Sequence, residues 1–138
     1  MFYPAKFTQE DNGYTVSFRD IKDAITCGSS FDEAMSMAED IILCWIDVYF
    51  EKNEFVPMPS DSLYDYEHWV FLPDSIFAKV LLHNEMLKAK ISKAELARLM
   101  GTNSPEIQRI LSARHKTKID TISKALSKLG KHLTLSLA

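Results

Sequence analysis

The sequence runs to 138 residues, room for one ordinary domain or two small ones, and its 46% hydrophobic and 25% charged side chains exclude a disordered or fibrous chain. Its formal net charge of −3 hides a segregation: residues 1–70 carry four basic side chains against fourteen acids, a balance of −10, while residues 71–138 carry twelve against five, a balance of +7. No stretch approaches the roughly 18 apolar residues of a spanning helix, and the start lacks the basic region and apolar run of a secretory signal, so a cytoplasmic protein without a membrane partner is expected.

Residues 2–8, FYPAKFT, alternate roughly as a strand does, with Pro4 pointing to an edge or to the beginning of a ladder. Glu10-Asp11-Asn12-Gly13 marks a turn, with an Asn-Gly pair whose residues tolerate positive φ, after which Tyr14, Val16 and Phe18 alternate with Thr15 and Ser17; the two segments predict a hairpin. A polar turn at residues 20–23 leads to a short third strand over 24–27, ended by Gly28. Ser30 and Glu33 form a capping box. Beyond it Ala34, Met37, Ala38, Ile41, Ile42, Trp45, Val48 and Tyr49 recur at helical spacing, predicting a long amphipathic helix over one face of the sheet. Residues 53–65, with Pro57 and Pro59, form a loop, and HWVFL at 68–72 supplies a last strand. A domain boundary is expected near residues 70–74, dividing an acidic unit, 1–70, from a basic one, 71–138.

Pro73 and Asp74 begin a helix that continues to about Ala89. The informative segment follows at 92–112, SKAELARLMGTNSPEIQRILS. Ser92 with Glu95 caps one helix, Gly101 suits the left-handed position past its end, and Asn103 with Glu106 caps the next, with Pro105 tolerated in the first turn. Two capped helices joined by a three-residue turn are the geometry that projects a second helix into a major groove. On that helix Ile107, Ile110 and Leu111 face the core, leaving Ser104, Pro105, Gln108 and Arg109 outward. Gln108 pairs naturally with adenine and Arg109 with guanine, while Arg114, His115, Lys116 and Lys118 follow in a loop suited to phosphates. Solvent-facing helix polarity accounts for the same residues without DNA. A final helix opens at Asp120 and Thr121 and closes at Gly130; residues 134–137 then form a short strand or an interface segment, with Leu133, Leu135 and Leu137 able to pair across a two-fold axis. Residues 92–135 resemble a helix-turn-helix domain of the phage-repressor class, through Glu95-Leu96-Ala97, Gly101, the short turn and Leu129-Gly130, with Thr102 where that class often has a small apolar residue. That resemblance implies a dimer on a palindromic operator.

Candidate chemistry in the acidic half is thin. Asp20 and Asp23 share a turn, Glu39 and Asp40 point differently, Cys27 and Cys44 lack metal-ligand spacing, and His68, His83, His115 and His132 stand singly; no metal, cofactor or catalytic site is expected. Asn12 to Phe18 (NGYTVSF), the acidic turn at Asp20, the segment 24–28 and Phe31-Asp32-Glu33-Ala34 leading to Ala38 resemble the HicB antitoxin family. With the repressor-type domain, the likeness covers essentially the whole chain. It implies an α+β protein: a three- or four-stranded N-terminal α/β domain of partial ribonuclease-H-like type, followed by an all-α helix-turn-helix domain, to which the alternation at 134–137 adds the short C-terminal strand or interface segment. It implies no enzyme but an antitoxin that covers a HicA-like toxin, a small basic ribonuclease that cleaves messenger RNA. It also implies repression of the operon's promoter through double-stranded operator DNA, as a homodimer or higher even-numbered oligomer. Arg19 stands where many members have proline, so a differently shaped turn is expected there, and the acidic tetrad of a nuclease is missing. Phe2, Tyr3, Phe7, Tyr14 and Trp69 are candidates either for toxin anchors or for core. A ligand-sensing repressor without a toxin partner, or a residual nuclease using Asp20 or Glu39, are the competing functions.

Overall fold

The alternation in the first seventy residues becomes a four-stranded antiparallel sheet of order β3-β2-β1-β4, built from β1 (Phe2–Glu10), β2 (Gly13–Phe18), β3 (Ile25–Gly28) and β4 (Glu67–Phe71). The structure, a computed structural model, describes residues 1–138. Its chain divides into two compact units: Met1–Val48 with Pro57–Pro73, and Tyr49–Val56 with Asp74–Ala138.

In the first unit, Glu10 pairs with Gly13, so the hairpin connection is Asp11-Asn12, inside the expected turn over residues 10–13. Gly13 is required for another reason. Its φ is +137°, and a Cβ there would fall 2.1 Å from the Gly28 carbonyl oxygen. Pro4 lies in an inner strand, paired with Trp69 of β4. The Phe7 amide donates towards β4, to the Tyr66 carbonyl, and successive residues point their amides to opposite sides; Pro4 therefore faces β2. The paired part of β2 ends at Phe18, opposite Ala5, so Pro4 sits beyond the end of that ladder and no hydrogen bond is lost.

One sheet face carries Tyr3, Ala5, Phe7, Val16, Phe18 and Val70, all buried. Helix α1 (Phe31–Lys52) supplies its cover: the Phe31 ring meets Phe7 at 4.9 Å, His68 at 4.9 Å and Tyr14 at 5.7 Å between centroids. Ser30 Oγ accepts the Glu33 amide at 3.1 Å, and Ser29 Oγ donates to the Glu33 carboxylate at 2.7 Å, so the predicted cap is made. The buried row is Ala34, Ala38, Ile42, Ile46 and Phe50, whereas Met37 is exposed and Val48 and Tyr49 are half-buried. Four residues advance about 40° beyond a full turn, so this row winds around the helix axis, and a stripe that also takes the three-residue steps misses it. The turn after β2 is held by polar groups. Asp20 accepts the Ser60 amide at 2.8 Å and its hydroxyl at 2.7 Å; Arg19 Nε donates to both carboxylate oxygens of the buried Glu67, at 3.2 and 3.0 Å, its terminal nitrogen donates to the Ser62 carbonyl, and its guanidinium lies 3.9 Å from the Tyr64 ring centroid.

The second unit contains α2 (Asp74–Ala89), α3 (Lys93–Met100), α4 (Ser104–Ile110) and α5 (Ile119–Lys128) around a core of Leu82, Leu96, Ile107, Ile110, Ile122 and Ala125. The segment that follows α1 is stitched to α2. Asn84 accepts the Val56 amide at 2.9 Å and donates to its carbonyl at 3.1 Å, as a neighbouring strand would; His83 Nε2 meets the Glu54 carbonyl at 2.7 Å and its ring packs on Phe50 at 4.7 Å. Burial lowers the His83 pKa, opposed by that hydrogen bond and assisted by the positive charge of Lys93. Of the two readings of residues 134–137, a short strand or an interface segment, the strand does not form: residues 131–138 have no regular structure, with Leu135 78% and Leu137 fully exposed. Alternating leucines supply a strand face, but a strand needs a neighbour, and the single chain offers none.

Two outcomes follow from this packing. A Cβ at Gly28 would lie 2.3 Å from the Ala34 amide nitrogen, so Gly28→Ala is expected to cost about 1–3 kcal/mol, read as a lower urea midpoint; an unchanged midpoint would remove the close approach. Folded His83 takes a proton less readily than the same residue in the unfolded chain, whose ordinary value is 6.5, so its contribution is complete above that pH and is lost progressively below it. Urea midpoints at pH 7.5 and 5.5 are expected to differ less in His83→Gln than in the parent; equal differences would show that another group titrates.

Candidate functional site

The sequence-specified turn between α3 and α4 is locally determined. Ser92, extended at φ −77° and ψ 163°, accepts the Glu95 amide at 3.1 Å and starts α3. Gly101, left-handed at φ 67° and ψ 34°, ends it, and the Thr102 amide returns to the Ala97 carbonyl at 2.9 Å. Asn103 Oδ1 accepts the Glu106 amide at 3.0 Å, with Pro105 in the first turn of α4. Leu96 and Ala97 from α3, and Ile107 and Ile110 from α4, turn into the core. Burial of those four side chains fixes which faces remain outside.

Ser104, Pro105, Gln108 and Arg109 are all exposed on α4, and Arg114, His115, Lys116 and Lys118 are all exposed in the connection to α5. Their side chains carry little desolvation cost, and all but that of Pro105 present polar groups to solvent. Arg109 and Gln108 are nevertheless engaged. Arg109 donates through Nε and its terminal nitrogen to one Glu106 carboxylate oxygen, at 3.2 and 2.7 Å, and the Gln108 oxygen lies 3.5 Å from Lys93 Nζ. With side chains 48% and 38% exposed, the Arg109–Glu106 pair is screened and opens readily. Its spacing of three residues on a helix was a legible signal. Lys93 comes close only through the tertiary fold, which spacing does not show.

A residue without an outward signal also belongs here. Lys79, in the apolar run IFAKVLL of α2, is fully buried and donates to the backbone carbonyls of Arg109, Ser112 and His115. Within the first unit, Tyr3 and Phe7 are core and Tyr14 is half-buried against Phe31. Phe2 and Trp69 remain 49% and 37% exposed; alternation along β1 and β4 puts them, with Phe71, on the sheet face opposite Tyr3 and Ala5. The Phe2 and Phe71 rings meet at 5.3 Å. Tyr64 and Tyr66 are exposed beside β4. Two clefts open on this unit, about 540 Å³ around the hairpin connection and Cys27, and about 580 Å³ beside Arg19 and Tyr64. Asp20 is committed to Ser60, and no three metal-ligating side chains converge. No helix is long and apolar enough to cross a membrane.

Residues 2–81 match the family described as HicB_like antitoxin of bacterial toxin-antitoxin system. The chain is 50% identical over 135 residues to Antitoxin HicB 2 of Photorhabdus laumondii subsp. laumondii, covering 98% of this chain and 95% of that protein. It is 43% identical over 136 residues to Antitoxin HicB of Escherichia coli K12, covering 98% of each, and 28% identical over 135 residues to Antitoxin HicB of Pseudomonas fluorescens, covering 98% and 92%. The chain therefore belongs to the HicB family of bacterial toxin–antitoxin systems, a family of antitoxins and not of enzymes.

Proposed function

We propose that the chain neutralises a HicA-like toxin through its first unit and represses its own operon by binding operator DNA through its second. The observation that carries the DNA half is the capped α3–turn–α4 pair with Gln108 and Arg109 outward on the second helix. In a major groove, Gln108 is suited to adenine and Arg109 to guanine; Ser104 and Pro105 lie at the leading end, and Arg114, His115, Lys116 and Lys118 meet phosphates. Counted by unit, three basic residues stand against twelve acids in the first and thirteen against seven in the second, balances of −9 and +6. DNA is attracted to the second and repelled by the first. A basic, RNA-binding toxin is attracted to the first, with charge hastening encounter and apolar contacts holding the complex. Phe2 and Trp69 are the exposed candidates for those contacts. Leu133, Leu135 and Leu137 are the proposed seam of a homodimer, in which the exposed Leu135 and Leu137 gain cover while Leu133 packs against the core of its own unit. The acidic unit and its family favour a protein partner over a sensed ligand.

Arg109→Ala is expected to weaken binding to the promoter fragment upstream of the chain's own gene by about 1–3 kcal/mol, measured by fluorescence anisotropy at fixed salt. Undiminished affinity would show that α4 does not read bases through Arg109. Purification of the tagged chain from its native cells, followed by mass identification, is expected to yield one small basic protein in stoichiometric amount. The Phe2→Ser/Trp69→Ser chain is expected to lose it while keeping the parent's urea midpoint. A homo-oligomer without a protein partner would instead leave a repressor whose first unit senses a ligand, and a monomer mass by light scattering at micromolar concentration would remove the dimer.

A further inference from the structure

Lysine is rarely buried completely, because its ammonium must find replacements for water. Lys79 on α2 is fully buried, and its Nζ lies 3.3 Å from the Arg109 carbonyl, 2.7 Å from that of Ser112 and 2.6 Å from that of His115. Three acceptors meet three N–H donors. The acceptors are not scattered. Arg109 belongs to the last turn of α4, where carbonyls have no helical partner and the helix dipole is negative. Ser112 and His115 bracket the turn after it, which closes through the His115 amide on the Ser112 carbonyl at 3.4 Å. Helix α4 ends at Leu111, with φ −97° and ψ 37°, without the left-handed glycine that stops α3. The Leu111 and Ser112 amides close the last turn on the Ile107 and Arg109 carbonyls, at 3.0 and 3.3 Å, and a side chain from another helix adds a charged donor to that termination.

We infer that Lys79 is a positioning residue for DNA: its buried ammonium clamps the end of α4 to the following turn and so sets where Arg114, His115 and Lys116 meet the phosphates. The inference rests on the proposed DNA binding by this unit. Ala113, buried inside the same turn, prevents the backbone from rotating freely, so the exposed Arg114 and Lys116 leave from a fixed base. Without the ammonium the His115 carbonyl loses its charged donor, and the Arg109 and Ser112 carbonyls keep only the longer bonds from the Ser112 and His115 amides, at 3.3 and 3.4 Å. The basic side chains then keep their charge but lose their common placement. Phosphate contacts position a protein on its duplex, so a displaced turn weakens binding to any sequence.

The test uses the full chain and a mixed-sequence 24-base-pair duplex, because non-specific binding isolates the phosphate contribution. The slope of log affinity against log salt falls by about 0.9 for each phosphate that is no longer neutralised. Lys116→Ala, which takes away one cation at the phosphates, gives the benchmark. Lys79→Met is expected to lower the slope by about twice that amount, roughly 1.8, corresponding to Arg114 and Lys116 together. Amide exchange over residues 110–116 is expected to accelerate at least about tenfold, while the amides of Leu96 and Ile122 keep their protection. The slope reports phosphates neutralised by folded molecules, so a smaller folded fraction alone does not change it. Lys79→Gln is measured if Lys79→Met does not fold; failure of both to fold would assign Lys79 to stability alone and overturn the positioning role. So would a parent-like slope in Lys79→Met. If the parent itself shows no salt-dependent affinity for the duplex, the DNA-binding reading falls as well, an outcome distinct from equal binding by parent and variant.

Discussion

Helix α4 is seven residues long, about 10 Å, and a helix of that length does not persist in water on its own hydrogen bonds. Everything around it compensates. Asn103 caps its start, Ile107 and Ile110 bury its inner face against α2, α3 and α5, and Lys79 takes up the carbonyls at its end. The outer face is thereby left free of structural duty. Helix α1 solves a different problem: with 22 residues it has length to spare, and its need is a seat, which Gly28 provides by admitting the Ala34 backbone where any side chain would collide.

Local signals were the legible ones. The hairpin alternation, the Ser30 and Ser92 caps and the left-handed Gly101 act within a few residues, so the chain states them directly. Signals that depend on distant partners were read less well. Pro4 suggested an edge or the beginning of a ladder; the strand is an inner one, and it is the second alternative that fits, because the β1–β2 pairing begins at Ala5 and the missing amide faces no partner. The leucines of residues 131–138 described a face without its neighbour. Lys79 could not be found from its own surroundings, since its three acceptors are backbone atoms thirty or more positions away. All eight residues singled out for DNA lie on the surface, which spacing predicts; the Glu106 partner of Arg109 was visible at helical spacing, whereas the Lys93 neighbour of Gln108 was not.

Arg19 illustrates how a charge excess is kept on the outside. Of the three cations in the first unit, Arg19 is spent internally, on Glu67, the Ser62 carbonyl and the Tyr64 ring. The pairing raises its pKa above the ordinary guanidinium value, chiefly through the hydrogen bond to Glu67. It also fastens the segment before β4, at the position where a differently shaped turn was expected. The cation has the further effect of satisfying the buried Glu67 carboxylate.

The Glu106 carboxylate gives Arg109 a resting place, and that has a consequence for selectivity. A guanidinium already docked on an oxygen acceptor gains only the difference when it moves to another, and the abandoned carboxylate is left near a polyanion. Guanine, which presents two acceptors in one plane, can exceed the resting interaction; a single acceptor on the wrong base does so less easily. In a repressor of the proposed kind, Glu106 would act as an internal competitor, trimming weak engagement with the vast excess of ordinary DNA more than engagement with the true site.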